Sequence, residues 1–502
     1  MSTLKIRASE TDSPVGLVPD TKREKGSWKP RLIMGGLILA CIVGIFLSTS
    51  ALMAGALVIA LMIILLFTGI PVSFALALPS LVGIYAISGV PATVNVLSVA
   101  PYNAVSSWSL SVLPMFIFMG MLLTVSGMTG KMYKAAGHWF NWLPGGLGIG
   151  TTAAGAGLSS VSGSTIGMTY ALGQAGIPEM LRAGYDRRVA VGTVIISGLP
   201  GNLIPPSILL VVYAGIANTP VGPQLIAGAL PGILVAATFA LFLLILGLAA
   251  PQLFGRYKNK TQSTVTVTWG DRLQSLKDIW AFPLIMIVLF AGMFSGIFTP
   301  TEAGAGAALV SLLLCLWYRR KELPFKTIAQ AALSSVAATA AIFFLLVGAE
   351  MLTRVLAVTG LAQATTDFIT GLGMSRFVFL VSLIVLYLIM GMFFDTLSMM
   401  FLTIPILLPT FAAMDINVLW FGVFVVLLGE LGMITPPVGV LSYIVHNIAQ
   451  KPDVNLGQHI SLKDIFVSLS WFLPIAVLFL FLMIWFPEMA TWLPDMMAER
   501  GA

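Results

Sequence analysis

Charge is scarce in this sequence. Asp, Glu, Lys and Arg make up 9% of its 502 residues, against about 25% in a typical soluble domain. So few charges cannot form the polar shell that water demands, while 58% of the residues are hydrophobic. Lipid therefore takes the place of water around most of the surface. Cysteine is nearly absent. Cys41 and Cys315 both lie inside apolar runs, which argues against a disulfide framework and leaves them as packing residues. The three histidines, His138, His446 and His459, are scattered and form no metal-binding or catalytic spacing. Neither a Walker A loop nor a His-Glu-x-x-His helix is present, and Asp395 has no second intramembrane aspartate with which to do aspartyl proteolysis. An enzyme is not expected. No cleavable signal is evident at the start of the chain. The net charge of +6 does not imply nucleic acid, because the basic residues sit in short loops and an N-terminal tail, as on the cytoplasmic flanks of membrane helices.

In place of charge the chain has long apolar runs. A spanning helix needs about 20 apolar residues. Residues 32–49, 52–69, 73–90, 108–128, 224–249, 280–298, 303–318, 329–349 and 464–486 are candidates. Four further stretches, 145–180, 189–215, 376–411 and 418–449, are apolar but interrupted by Gly, Ser and Pro. Lipid offers no hydrogen bonds to an opened backbone, so broken helices survive only where protein buries them or where they line a cavity. Residues 1–30 are polar and basic, which predicts a disordered cytoplasmic tail. Counting spans from that tail places every later basic group on the same side: Lys131 and Lys134; Arg182, Arg187 and Arg188; a long polar loop at about 251–279; Arg319, Arg320, Lys321 and Lys326; Lys451 and Lys463. The count requires 145–180 and 376–411 each to enter and leave on one side, as helical hairpins, and it puts the C-terminus outside.

Self-comparison at an offset of about 230 gives an ordered run of matches. Phe67-Thr68 falls on Phe298-Thr299, Met121-Leu122 on Met351-Leu352, Val125 on Val355 and Thr129-Gly130 on Thr359-Gly360. Thr165 falls on Thr396, Pro178 on Pro409, and Pro205-Pro206 on Pro436-Pro437. Charge sets the relative orientation. Arg182, Arg187 and Arg188 follow the first hairpin, whereas 412–417, after the second, carries Asp415 and no base. One loop is cytoplasmic and its twin is not, so the repeat is inverted. That architecture places substrate and ion sites at midplane, where its halves meet.

Two segments sit in the middle of apolar stretches long enough to span: Gly201-Asn202-Leu203-Ile204-Pro205-Pro206-Ser207 and Gly432-Met433-Ile434-Thr435-Pro436-Pro437-Val438-Gly439. Adjacent prolines remove two backbone donors and push the preceding residue toward extended geometry, so each helix must unwind there. Unwinding frees carbonyl oxygens that suit Na⁺ and exposes helix N-terminal amides that suit a carboxylate. The hairpin tips form the opposing wall. Ser159-Ser160-Val161-Ser162-Gly163-Ser164-Thr165 and Phe393-Phe394-Asp395-Thr396-Leu397-Ser398 occupy matching places. Their hydroxyls serve either as close-packing contacts or as ligand oxygens. An ionisable group at depth defaults to function, so Asp395 is expected at or near a cation site, with helix capping as the alternative. Thr299-Pro300-Thr301-Glu302 reads as a capping box, and Glu350 with Arg354 as an ion pair on one helix face. Two roles stand open for Glu430: facing a cavity, or satisfying the amides that the break frees.

Ile204-Pro205-Pro206-Ser207, Phe298-Thr299-Pro300-Thr301-Glu302-Ala303 and Ile434-Thr435-Pro436-Pro437-Val438-Gly439 resemble the large membrane subunit of TRAP (tripartite ATP-independent periplasmic) transporters, the DctM-like permeases. Gly69-Ile70-Pro71 and Ala183-Gly184-Tyr185-Asp186 fit the same pattern, and the resemblance covers roughly 52–495. It implies an all-α polytopic protein of the bacterial inner membrane. In it, an inverted repeat with two re-entrant hairpins and two broken helices works as an elevator. It also implies Na⁺-coupled uptake of a small organic anion, delivered by a periplasmic binding protein, with a small four-helix membrane subunit completing the scaffold. Carried onto this chain, one cation site comprises Ser162, Gly163, Ser164, Gly201, Asn202 and Pro206. A second comprises Asp395, Thr396, Gly432, Thr435, Pro437 and Gly439. The anion lies between the tips, at Ser162, Ser164, Asn202, Ser207, Thr396 and Thr435.

The expected division is a tail (1–30), an extra N-terminal helix (31–50), scaffold (51–135), transport domain (136–220), a linking helix with its cytoplasmic loop (221–279), scaffold (280–350), transport domain (351–450) and a C-terminal scaffold helix (451–502). The tail, the extra helix and the length of the 251–279 loop depart from the family pattern. Two rival readings are a Na⁺/anion symporter that needs no binding protein and a membrane scaffold subunit without transport. Dicarboxylates, sugar acids, keto acids and sulfonates share a small anionic head, so the sequence does not name the substrate.

Overall fold

The computed structural model describes residues 28–255, 267–318, 320 and 324–501. The tail up to residue 27 and the basic residues Arg256, Lys258, Lys260, Arg319 and Lys321 lie outside the described residues. Within them the fold is all-helical, apart from an isolated antiparallel bridge between Tyr185 and Phe254.

The first half contains α1 (Trp28–Leu47), α2 (Ala51–Phe67), α3 (Val72–Ser106), α4 (Val112–Val125), α5 (Met128–Phe140), α6 (Gly146–Ser162), α7 (Thr165–Arg182), α8 (Arg187–Ser197), α9 (Ile208–Ala217) and α10 (Val221–Ala249). The second half contains α11 (Trp269–Asp278), α12 (Ala281–Phe294), α13 (Pro300–Tyr318), α14 (Pro324–Thr359), α15 (Leu361–Gly371), α16 (Arg376–Gly391), α17 (Thr396–Ala413), α18 (Val418–Ile434), α19 (Val440–Ala449), α20 (Pro452–Asn455), α21 (Leu462–Trp485) and α22 (Glu488–Gly501). Among the described residues seven helices are long and apolar enough to cross a membrane alone. An eighth span results if α11 and α12, bent by 54°, count as one.

The structure differs from the sequence expectation at four places. The span predicted at 73–90 is the first part of α3, which turns at Gly89 (φ 73°, ψ −173°) and continues to Ser106. A positive φ costs glycine little, which is why the turn falls there. The polar loop of 251–279 contains α11, nucleated by a capping box in which Asp271 N bonds Thr268 Oγ1 at 3.2 Å and Thr268 N bonds Asp271 Oδ2 at 2.8 Å. The span expected at 329–349 is the middle of the 36-residue α14. Residues 451–502 form three helices rather than one, and α22 folds back onto α10 and α18. Two smaller expectations hold. Thr299 and Glu302 exchange bonds of 2.8 and 3.3 Å as a capping box, and Arg354 pairs with Glu350 at 3.1 Å.

Packing across the halves comes in exchanged pairs. α7 packs on α19 while α17 packs on α9, and α8 packs on α21 while α18 packs on α10. α3 lies along α14, and α4 along α13. Apart from Glu430, α18 is apolar all round, as a helix surrounded by protein must be. Its Trp420, Phe421 and Phe424 are among the largest fully buried side chains, with Tyr213 and Tyr387. The Trp420 indole donates to the Met483 carbonyl at 3.1 Å, and the Tyr213 hydroxyl to the Val418 carbonyl at 2.7 Å.

Candidate functional site

Each predicted break is a gap between two helices. α8 ends at Ser197, a 3₁₀ turn spans Leu199–Asn202, and Pro205-Pro206 precedes α9. Ser207 caps α9 by accepting from Leu210 N at 3.2 Å, and its hydroxyl donates back to the Asn202 carbonyl. α18 stops at Ile434, and Pro436-Pro437 separates it from α19. There the Thr435 hydroxyl donates to the Leu431 carbonyl at 2.7 Å, taking up one of the carbonyls that a helix end leaves free. The Pro205-Pro206 and Pro436-Pro437 peptides are both cis.

The hairpins turn where small polar residues were read. α6 ends at Ser162, and Gly163 (φ 62°) takes the left-handed conformation that reverses the chain, its N–H bonding the Ser159 carbonyl at 2.8 Å. Ser164 caps α7 by accepting from Gly167 N at 3.2 Å. In the second hairpin α16 ends at Gly391, and Asp395 caps α17: its carboxylate accepts from Ser398 N at 3.4 Å and from the Ser398 hydroxyl. The capping alternative for Asp395 is thus realised.

Each break is seated on the first helix of its own hairpin. A Cβ at Gly201 would lie 2.5 Å from the Ala156 carbonyl oxygen and 2.8 Å from Ser160 N, both in α6. A Cβ at Gly432 would lie 2.8 Å from Gly391 Cα and 2.8 Å from the Tyr387 carbonyl oxygen, both in α16. Glycine at these places lets two backbones meet. The tip glycine Gly163 in turn abuts the Ile208 side chain at the start of α9.

Of the first group of predicted residues, Gly201, Asn202, Pro206 and Ser207 are buried, whereas Ser162 and Gly163 are partly exposed and Ser164 exposed. Ser162 and Ser164 line a cavity of about 250 Å³ with Thr124, Thr129 and Phe282. The Asn202 side chain does not bond them. Its amide donates to Thr165, and its oxygen accepts from the Ser159 hydroxyl at 3.2 Å. Of the second group, Thr396, Gly432, Thr435 and Gly439 are buried, Asp395 is partly buried and Pro437 is exposed. The Thr396 hydroxyl donates to Glu430 Oε1 at 3.1 Å. Sequence reasoning left the roles of Ser159, Thr165 and Glu430 open between alternatives. The available signal was the match of Thr165 with Thr396: both open the second helix of a hairpin, and both donate to the same carboxylate.

Among the described residues no three His, Cys, Asp or Glu side chains cluster as a metal site. What converges is oxygen, from hydroxyls, an amide, carbonyls and one carboxylate. Paired interrupted helices among long apolar ones define a multi-pass membrane permease. The sequence model described as "Tripartite ATP-independent periplasmic transporter, DctM component" matches residues 58–489, and the chain belongs to that family. It is accordingly a multi-pass protein of the inner membrane. It is 27% identical over 463 residues to the C4-dicarboxylate TRAP transporter large permease protein DctM of Rhodobacter capsulatus, covering 89% of this chain and 100% of that one. It is 28% identical over 435 residues to the sialic acid TRAP transporter permease protein SiaT of Haemophilus influenzae, covering 87% and 67%. In fold it is similar to the YdaH transporter of Alcanivorax borkumensis, with a TM-score of 0.55 at 14% identity, over 82% of this chain and 89% of that one.

Proposed function

We propose that the chain is the large permease subunit of an importer that carries a small organic anion by Na⁺-coupled elevator alternating access. A periplasmic binding protein delivers the anion, and a small four-helix subunit completes the scaffold. The two relatives named above bear the names of C4-dicarboxylate and sialic acid, which share a carboxylate, so a small carboxylate is the substrate class.

The observation that carries the reading is the seating of each break on the hairpin of its own half. The exchanged contacts of α7 with α19 and of α17 with α9 support an inverted repeat. The moving unit comprises 136–220 and 351–450, and the scaffold 51–135, 280–350 and 451–502. The donors fit Na⁺, a hard cation that prefers oxygen. Ser162, Gly163, Ser164, Gly201, Asn202 and Pro206 hold one ion, and Asp395, Thr396, Gly432, Thr435, Pro437 and Gly439 hold the other. The anion rests on Ser162, Ser164, Asn202, Ser207, Thr396 and Thr435, where the N-termini of α7, α9 and α17 supply partial positive charge.

Reconstitution tests this. Proteoliposomes holding the chain with its small subunit, and supplied with the binding protein, are expected to accumulate the anion only under an inward Na⁺ gradient. Uptake without the binding protein identifies an independent symporter. Uptake indifferent to Na⁺ refutes the coupling, and a complex that binds its partners but transports nothing is a scaffold.

A further inference from the structure

Glu430 stands where the two halves and both hairpin tips meet. Its Oε2 accepts from the Thr165 hydroxyl at 2.6 Å, and its Oε1 from the Thr396 hydroxyl at 3.1 Å. Behind Thr165 the chain of donors continues, from the Ser159 hydroxyl to Asn202 Oδ1 and from the Asn202 amide to Thr165. One carboxylate on α18 therefore orders side chains of α6, the first break, α7 and α17. It is 1% exposed, and among the described residues no Lys, Arg or His forms an ion pair with it. Of the two roles left open by the sequence, satisfying the freed backbone amides is not the one observed: its hydrogen bonds are with the Thr165 and Thr396 hydroxyls and the Asn202 side chain. A buried charge without a basic partner is costly, and within a membrane it marks function.

We propose that Glu430 is a positioning residue that couples the two cation sites. It fixes Thr396 at one and, directly and through Thr165, the Asn202 side chain at the other, so that the sites form and loosen together. The inference rests on the Na⁺-coupled reading above. Its physical basis is the polarity of the chain. A carboxylate only accepts, so the single Thr165 hydroxyl proton is committed to Glu430 and its lone pair receives the Asn202 amide. The Asn202 oxygen is thereby turned toward α6. Without the carboxylate the Thr165 hydroxyl rotates freely and the orientation of Asn202 is lost. Glu430 touches neither ion nor anion in this scheme.

The test is Na⁺-dependent thermal stabilisation of the purified full chain, titrated with NaCl against KCl at constant ionic strength. Glu430→Gln is expected to raise the half-saturating Na⁺ by about tenfold or more, equivalent to about 1.4 kcal/mol. Thr165→Val and Thr396→Val share no hydrogen bond with each other. Each is expected to raise it too, with effects that are non-additive beside Glu430 and additive in the Glu430→Gln background. Should Glu430→Gln fail to fold, the non-additivity of the two valine variants carries the test. An unchanged Na⁺ response in Glu430→Gln, or valine effects that simply add in the wild type, overturns the coupling role alone. A wild-type chain indifferent to NaCl removes the Na⁺ reading and this inference with it.

Discussion

Gly432→Ala tests whether the second break must touch its hairpin backbone to backbone. Gly432 lies in the last turn of α18 and has no positive φ, so alanine by itself improves the helix by at most about 0.5–1 kcal/mol. Against that gain, the new Cβ would lie 2.8 Å from Gly391 Cα and 2.8 Å from the Tyr387 carbonyl oxygen. Both are backbone atoms of α16, so no side chain can rotate aside and the helices must separate. Overpacking of a tight core costs about 1–3 kcal/mol; the rigidity of this contact puts it in the upper part of that range and leaves a net loss of about 1–2 kcal/mol. The separation also reaches Thr396, because Gly429, one turn earlier, packs against the Thr396 side chain. The assay pairs a melting curve in detergent with uptake in proteoliposomes, and Gly130→Ala serves as the control. Gly130 lies in α5 with nothing within 4 Å of an added Cβ, so it should melt at or slightly above the wild type. Gly432→Ala melting as high as that control, with uptake intact, would refute the reasoning.

Other outcomes follow from the same geometry. Pro206→Ala and Pro437→Ala each restore a backbone donor at a break and are expected to impair uptake while membrane insertion, read from surface labelling, stays normal. Asp395→Asn keeps a capping side chain but removes a charge: its melting curve should stay close to the wild type while half-saturating Na⁺ rises, and unchanged Na⁺ dependence would leave Asp395 as a cap alone. Asp464 completes the capping box of α21, its carboxylate accepting from Ser461 N at 3.1 Å and the Ser461 hydroxyl at 2.7 Å, and receives Arg187 at 3.2 Å and Arg188 at 3.1 Å from the start of α8. Both arginines are about 40% exposed, so water screens much of the pairing, and Asp464→Ala is expected to cost about 1–2 kcal/mol, chiefly as a lost cap, read as a lower melting temperature.

The breaks and hairpin turns were legible because Pro-Pro and Gly163 act through their own backbone chemistry, which needs no partner. The amphipathic helices α5, α11 and α15 were not. Each is too short and too polar to stand out as an apolar run, and each is helical because its less polar face finds a neighbour, as α5 finds α6 and α15 finds α17. The continuation of α3 past Gly89 was missed for the opposite reason: a glycine followed by Pro91 reads as an end, and the helix does break there, but a second helix follows at once. Glu430 was the deepest loss. Its partner Thr165 is 265 residues away in the chain, and a lone carboxylate in an apolar stretch does not announce which hydroxyls will reach it. Asp395 was legible as important, but its capping bond to Ser398 had to be seen to be assigned.

The length of α14 has a consequence for the host membrane. At 1.5 Å per residue its 36 residues make a rod of about 54 Å, against about 30 Å of acyl chain to cross. It must slant, overshoot into the headgroups, or both. Bilayer thickness then becomes an adjustable load: thicker lipid draws the rod upright, thinner lipid lays it over, and charged ends need not be dragged into oil in either case. Reconstitution across acyl chains of graded length should therefore degrade uptake gradually rather than at a threshold.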